Sequence, residues 1–466
     1  MFEFDLENPS YSKVHFIGIG GISMSGLAKI LINNNFIVSG SDANDSPIIA
    51  ELTSLGAKIS LSHSKENIIG ADLVVYTDAI SKDNEELLAA IESKAEVVDR
   101  AKFLGSLMKN YKTSIAVSGT HGKTTTTSMI ASVMNHSNLN PTILLGGQLD
   151  DIGGNIKLGS RDYLLTEACE YKANILKYFP TIALVLNIDE DHLDFYKSIS
   201  HIKDTFKTYL MNLNSDDYTL LNFDDPHIRD IYKDLKAKVI SFGIEEEADY
   251  MAKNIEFDSE GYPKFDVFYK GYFILNINLS VMGIHNIYNS LAAIALCHIL
   301  GIESSHIKTY ISSYKGVHRR LEHKGFLGGI KIIDDYAHHP TEIKASLNAL
   351  RKSTKEKIYC IFQPHTFTRT KILLNSFSEA FYDADKVIIA DIYASRERDN
   401  GDIHSKDLVN RIKEKGSDAI YLGNFDEIES YILRETSNHD VVVTMGAGNI
   451  YQVGENLISK SLTKVI

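Results

Sequence analysis

Cysteine is scarce in this chain, and positive charge is in deficit. Only three cysteines occur in 466 residues: Cys169, Cys297 and Cys360. An odd number with no C-x-x-C pair excludes a disulfide framework and a thiolate zinc site. It suits a reducing cytosol, so a cytoplasmic location is expected. Lys and Arg number 48 against 61 Asp and Glu, a formal charge of −13. Such an acidic chain, with pI ≈ 5.7, lacks the broad basic footprint of a nucleic-acid or anionic-membrane binder. Anionic small molecules would have to be met by local donors, helix N-termini or metal ions, against the global field. No apolar run approaches the ~18 residues of a membrane span. The acidic opening MFEFDLENPSYS lacks the charged-then-apolar order of a secretory signal. Short-period repeats and low-complexity linkers are missing too. What is there is ordinary: 44% hydrophobic and 23% charged residues, enough for sizeable cores. At about 150 residues per domain, the length predicts roughly three domains.

Short β-branched runs alternate with helical patterns through most of the sequence, the signature of parallel α/β units. The pattern predicts a strand at 14–19, a helix at 22–33 and strands at 36–41 and 72–76, then a helix near 83–93. It restarts with a strand at 114–117 that runs into a Gly-rich turn, followed by strands at 163–168 and 181–188. Turn signals at Glu260-Gly261-Tyr262-Pro263 and Lys270-Gly271 mark antiparallel hairpins within 248–282. A helix is expected at 284–300. A third α/β series starts at GIKIIDDY and continues through KIYCIFQP, KVIIADIY and DVVVTMGAG. Domain boundaries are placed near 110 and 320.

The densest chemistry follows the strand IAVSG. Gly119-Thr120-His121-Gly122-Lys123-Thr124-Thr125 forms a strand-to-helix turn whose N–H groups can surround phosphate oxygens. Lys123 would reach the terminal phosphates, and the Thr124 hydroxyl would be a magnesium ligand. Usual spacing puts a glycine at position 117, which here is Val117, so this is a shortened G-T-x-G-K-T form. Magnesium needs hard oxygen ligands, and two strand ends supply candidates: Glu167 and Glu170 after YLLT, and Asp189, Glu190, Asp191 and His192 after ALVLN. In an open parallel sheet these ends face the crevice that the phosphate loop faces. Solvated acidic loops are the bland alternative. Asn286, opening an alanine-rich helix, reads equally as a helix cap or as a donor to a purine edge.

HFIGIGGISMSG places Gly18, Gly20 and Gly21 between a strand and a helix, with Asp42 closing the next strand. This is a diphosphate-binding turn of the dinucleotide type, or a tight turn serving packing alone. A nicotinamide reading lacks any accompanying hydride-transfer constellation. In the last third, Asp334 to Glu342 follows one strand and Gln363 to Thr370 follows another. Polar, His-rich turns at successive strand ends suit carboxylate recognition. His365 and Arg369 lead that reading, Arg369 because its fork grips a carboxylate as lysine cannot. His339 and Pro340 also fit simple helix capping.

The succession GIGGISMSGLA, SGTHGKTTTT, NIDEDHLD, GIHNIYNSLAA, GVHRRLEHKG, DDYAHHPTE, QPHTFTRTK, DIYASRERD and MGAGNI resembles the Mur ligases over nearly the whole length. The resemblance implies an α/β fold of three domains. These are an N-terminal Rossmann-like UDP-binding domain (1–110), a central P-loop ATPase domain with a parallel sheet plus a small antiparallel sheet (111–319), and a C-terminal Rossmann-like domain (320–466). HHPTE with QPHxxTRT resembles the branch that adds L-alanine. In that branch ATP phosphorylates the lactyl carboxylate of UDP-N-acetylmuramate, and the amine of L-alanine displaces phosphate. The implied cofactors are ATP and Mg2+; the implied state is monomer or homodimer.

Carried over by position, Gly119 to Thr125 form the ATP loop, with Lys123 catalytic and Thr124, Glu167 and His192 as metal positions. His285, Asn286 and Asn289 match nucleotide contacts, and Arg320 matches an arginine reaching ATP. Tyr336, His338, His365 and Arg369 match residues facing the carboxylate and the amino acid. Gly18, Gly20, Gly21, Met24, Ser25 and Asp42 match the UDP-sugar site. Two departures stand out: Ser23 replaces a common glycine, and in TEACEYK Cys169 and Lys172 stand where acids are usual. The rivals are the ligase that recycles whole peptides, whose first turn reads G-I-C-G-T, a folylpolyglutamate-synthase-like ligase, and a nucleotide-binding regulator without turnover.

Overall fold

The computed structural model describes residues 2–395 and 397–463. They fall into two compact units: the first contains residues up to 188 with 200–242 and 292–302, the second 189–199, 243–291 and everything from 303.

In the first unit, β1 (Lys13–Ile17), β2 (Ile37–Ser41), β3 (Lys58–Ser60), β4 (Leu73–Tyr76) and β5 (Glu96–Asp99) form a five-stranded sheet ordered β3-β2-β1-β4-β5. Every pair is parallel, with Ile17 level with both Ser41 and Tyr76. The order reverses at β1, so the ligand crevice expected at such a switch point lies where β1 ends, at Gly18. Beneath the sheet Glu86 is wholly buried, held by His15 at 2.9 Å and His63 at 2.7 Å.

The same unit holds β6 (Thr113–Ser118), β7 (Thr142–Leu149), β8 (Gly154–Lys157), β9 (Tyr163–Glu167), β10 (Ile182–Val185), β11 (Tyr218–Asn222) and β12 (Lys238–Gly243). Their order is β12-β11-β10-β6-β9-β7-β8, parallel except for the β7–β8 hairpin. β6 lies between β10 and β9, so the turn it feeds is flanked by their two ends. β10 is buried along its whole length, as a parallel strand covered on both faces must be. The strand expected at 181–188 stops at Val185 because Asn187 closes back onto the glycine turn after β6. The β7–β8 hairpin was not foreseen: Gly146, Gly147, Gly153 and Gly154 interrupt its alternation.

In the second unit, β13 (Tyr250–Phe257), β14 (Pro263–Tyr269) and β15 (Tyr272–Asn278) are the antiparallel hairpins expected within 248–282. The two-residue turn Lys270-Gly271 has φ of 49° and 83°, the doubly left-handed geometry of a type I′ hairpin. The helix expected at 284–300 is Ile284–Ile299. A six-stranded sheet follows: β16 (Glu322–Leu327), β17 (Ile330–Asp335), β18 (Ile358–Phe362), β19 (Lys386–Ile389), β20 (Ala419–Tyr421) and β21 (Val441–Met445). Its order is β16-β17-β21-β18-β19-β20, parallel apart from β16. Ile332, Ile361 and Val442 pack on one face, and Ile333, Cys360 and Val443 on the other. Asp335 and Phe362 both pair with Met445, so the turns after β17, β18 and β21 emerge at one edge.

Candidate active site

The first glycine turn is built by close approach. Gly18 has φ 84°, and a side chain there would collide with Thr77. The Gly18 and Ile19 N–H groups donate to Ser41 O, and Gly20 N–H donates to the Asp42 carboxylate at 2.9 Å. Asp42 therefore clamps the turn. Gly21 and Ile22 are exposed at the start of helix Ile22–Asn33. Met24 and Ser25 lie beneath it: both are buried, and the Ser25 hydroxyl donates to Ile22 O.

The second turn joins β6 to helix Lys123–Asn135. Gly119 (φ 129°) sits so near Leu186 and Asn187 that a Cβ would lie 3.0–3.1 Å from them, and Gly122 caps the helix with φ 82°. Asn187 brackets the loop. Its Oδ1 accepts from His121 N–H at 2.8 Å, its Nδ2 donates to His121 O, and its carbonyl accepts from Thr120 N–H. The first N–H groups of a helix have no partner within it, so the turn of Lys123, Thr124 and Thr125 presents donors and positive potential to an anion.

Around that helix end the charges are arranged in pairs. Lys123 Nζ bonds Gly119 O and Thr120 O and lies 3.0 Å from Glu170, which is buried. Glu170 is thus the loop lysine's counter-ion, a role that neither the metal nor the solvated-loop reading anticipated. The Thr124 hydroxyl donates to Glu167 at 2.9 Å, and the other Glu167 oxygen accepts from Gly146 N–H at 2.7 Å. Two hard oxygen donors converging beside the loop fit a magnesium ion. In TEACEYK, burial pushes the Cys169 thiol up, so it stays protonated. Lys172, at φ 53°, pairs with Asp78 at 3.7 Å.

The second unit gathers the other candidates. Asp191 is buried, and its Oδ1 accepts from both His192 N–H (2.6 Å) and Arg369 (3.0 Å). Burial alone would raise that carboxyl, but His192, Arg369, His338 and His339 outweigh it and hold it far below the usual carboxylate range. His192 itself has φ 54°. Arg369 also approaches His365 Nδ1 at 3.4 Å. Between them Thr366 has φ 65° and ψ 143°, a conformation nearly reserved for glycine, and such strain gathers at functional sites. His365 stacks on Tyr393 and lies 6.0 Å from His338, ring to ring.

His338 Nδ1 donates to Tyr336 O at 3.0 Å, which leaves Nε2 as the acceptor. Burial, helped by Arg369, lowers its pKa to about 4 against the pull of Glu342 and Asp191, so the ring is neutral near pH 7. Tyr336 lies under two guanidinium groups, Arg319 at 4.9 Å and Arg320 at 5.3 Å. Arg320 pairs with Glu342 at 3.6 Å. His339 is the cap of helix Pro340–Ser353: it accepts from Thr341 N–H, Glu342 completes the capping box, and its Nε2 donates to Glu190 O. Asn286 does not cap its helix. Its Nδ2 donates to Met282 O, and its Oδ1 accepts from Asn289. His285 Nδ1 is buried with no hydrogen-bond partner among the described residues, and burial, then Arg320, lowers that histidine to about 4.

Sequence reasoning missed Asn187, Arg319 and Glu342. Glu342 carried a signal, an acid three residues after a helix cap. Asn187 carried a weaker one, a turn-forming residue ending an apolar run. Arg319, bonded to Asp334 and to Gly446 O, had none.

Three stretches match family models: "Mur ligase family, catalytic domain" at 13–112, "Mur ligase middle domain" at 117–297 and "Mur ligase, glutamate ligase domain" at 319–448. Among curated proteins, the UDP-N-acetylmuramate–L-alanine ligase of Alkaliphilus metalliredigens is 48% identical, covering 99% of this chain and 100% of its own. That of Acetivibrio thermocellus is 51% identical, covering 97% and 96%. Among solved structures, the UDP-N-acetylmuramate–alanine ligase of Thermotoga maritima superposes with a TM-score of 0.80 at 30% identity, covering 97% of this chain and 99% of its own. A murein peptide ligase from Psychrobacter arcticus shares the fold, with a TM-score of 0.73 at 23% identity. With three family models covering most of its length and relatives about half identical over nearly all of it, the chain belongs to the Mur ligase family.

Proposed function

We propose that this chain is an ATP-dependent ligase that joins L-alanine to the lactyl carboxylate of UDP-N-acetylmuramate, releasing ADP and phosphate, in peptidoglycan precursor synthesis. The observation that carries the chemistry is the loop Gly119–Thr125 with Lys123 on Glu170 and Thr124 on Glu167. Relatives 47–51% identical over the whole chain supply the substrate names and favour this reading over the peptide-recycling and non-catalytic alternatives. We divide the chain into a UDP-sugar domain (1–110), an ATP domain (111–319) and a C-terminal domain (320–466).

ATP lays its phosphates on the N–H groups of the loop. Lys123 exchanges Glu170 for the terminal phosphates and offsets the charge that spreads over the transferring group. Thr124 and Glu167, with His192, would hold Mg2+, which supplies charge neutralisation and alignment when bound. Transfer of the γ-phosphoryl group to the lactyl carboxylate activates it as an acyl phosphate. Arg369, steadied by Asp191, grips a carboxylate with two donors. His338, kept neutral by burial, offers Nε2 as a hydrogen-bond acceptor that can orient the alanine amine for attack. His285, Asn286, Asn289 and Arg320 serve the nucleotide. Among the described residues no helix is long and apolar enough to cross a membrane.

Phosphate release measured with each reactant omitted tests the reading. Turnover should require ATP, UDP-N-acetylmuramate and L-alanine together. Equal turnover without the amino acid, or with a muropeptide in its place only, would contradict it.

A further inference from the structure

Arg100 begins helix Arg100–Met108 directly after β5. Parallel strands deliver it to the sheet edge that carries the first glycine turn. Its guanidinium is partly buried and makes two long hydrogen bonds to neutral hydroxyls, Ser23 Oγ at 3.2 Å and the Tyr178 hydroxyl at 3.4 Å. Among the described residues no carboxylate lies within ion-pair distance of it. Other arginines here are matched with acids: Arg161 with Glu7 at 2.8 Å, Arg319 with Asp334 at 3.1 Å and Arg369 with Asp191 at 3.0 Å. The acids nearest Arg100 are engaged elsewhere. Asp78 takes Asn174 at 2.9 Å and Lys172 at 3.7 Å, and Asp99 takes Lys177 at 3.0 Å and Lys102 N–H.

A guanidinium has five donors in a planar fork. Withdrawing it from water without an anion is costly. A chain of charge −13 had acids available, so the missing partner points to an anion that comes and goes. Ser23 fixes where that anion sits. It stands in the first turn of helix Ile22–Asn33, next to the exposed Gly21 and Ile22, where N–H groups also face outward.

We propose that Arg100, anchored by Ser23, is the cation that seats the diphosphate of the sugar nucleotide at the first glycine turn. The inference rests on the function proposed above and adds a positioning residue to it. It also gives Ser23 a purpose: its hydroxyl aims the guanidinium, which a glycine there could not do.

Calorimetric titration of the full-length protein with UDP, with UDP-N-acetylmuramate and with a non-hydrolysable ATP analogue tests it. In Arg100→Met, the affinities for UDP and for UDP-N-acetylmuramate should fall together by ~10- to 100-fold, the worth of a lost charged hydrogen-bond pair. Affinity for the ATP analogue should hold, which also reports that the variant is folded. Arg100→Lys, which keeps the charge but loses the fork, should show a smaller loss. UDP affinity unchanged in Arg100→Met would overturn the inference. So would a loss confined to UDP-N-acetylmuramate, because it would place Arg100 at the lactyl carboxylate instead. A wild-type protein that binds neither uridine nucleotide would remove the proposed function, and this inference with it.

Discussion

The glycine turn around Lys123 in the first unit and the histidine cluster in the second treat charge in opposite ways. At the loop, a permanent cation is stored against a buried acid, Lys123 on Glu170, and backbone donors are held in place by a neutral amide, Asn187. In the second unit, burial drives His338 and His285 down to about 4, and a nearby cation, Arg369, is steadied by Asp191. The first arrangement suits stabilising negative charge that moves, because a lysine paired with one anion can trade it for another without reorganising its surroundings. The second suits holding an amine or ammonium by hydrogen bonds, because a desolvated imidazole stays neutral and keeps an acceptor nitrogen at pH 7, whereas a solvated histidine is partly charged already. One fold family can thus use the end of a parallel sheet for two jobs, depending on whether the side chains left there are paired or desolvated.

Breaking the loop should have the largest effect. Lys123→Ala removes the cation and leaves Glu170 buried without its partner, so turnover should fall ~10³-fold or more. Steady-state phosphate release checks this, and near-normal turnover would erase the contrast between the regions. A smaller break tests the second unit. Arg369→Lys keeps charge but loses the fork, and kcat/KM for the amino acid or the sugar nucleotide should drop ~10- to 100-fold. Unchanged kinetics for both would remove Arg369 from the site.

The smallest expected effect sharpens the comparison through pH. An unfolded histidine titrates near 6.5, whereas His338 in the folded chain titrates near 4. Between those values the unfolded state holds more protons, so stability rises with pH and is lost on acidification. Asp335, pushed up to about 6 by burial, gives the opposite slope over ~4 to 6. His338→Gln should therefore flatten the decline in Tm between pH 7 and pH 5 by about 2–4 °C. A decline as steep as in the parent would show that His338 is not kept neutral.

Much of this was legible in the sequence, because the informative residues were backbone-determined. Gly18, Gly119 and Gly122 announce left-handed or crowded turns, and the structure gives them φ of 84°, 129° and 82°. The continuous apolar runs IALV and IYCIF are the interiors of parallel sheets, and both are buried throughout. Strands with mixed patterns escaped: β16 reads EHKGFL and carries a register shift beside Gly325, so no alternation marks it. Pairings between distant segments were invisible for a different reason. Glu170 on Lys123 and Asp191 on Arg369 span 47 and 178 residues, and only the folded sheet edges bring them together. Ambiguous side chains were settled by local geometry. His339 proved to be a capping residue, and Asn286 proved to be tied to Met282 and Asn289.

The most direct measurement follows an oxygen atom. UDP-N-acetylmuramate labelled with 18O in its lactyl carboxylate should, during ligation, pass one labelled oxygen to each inorganic phosphate released, because phosphate leaves carrying an oxygen of the acid it activated. Unlabelled phosphate, with the amide formed at the normal rate, would contradict phosphoryl transfer from the Lys123 loop to that acid.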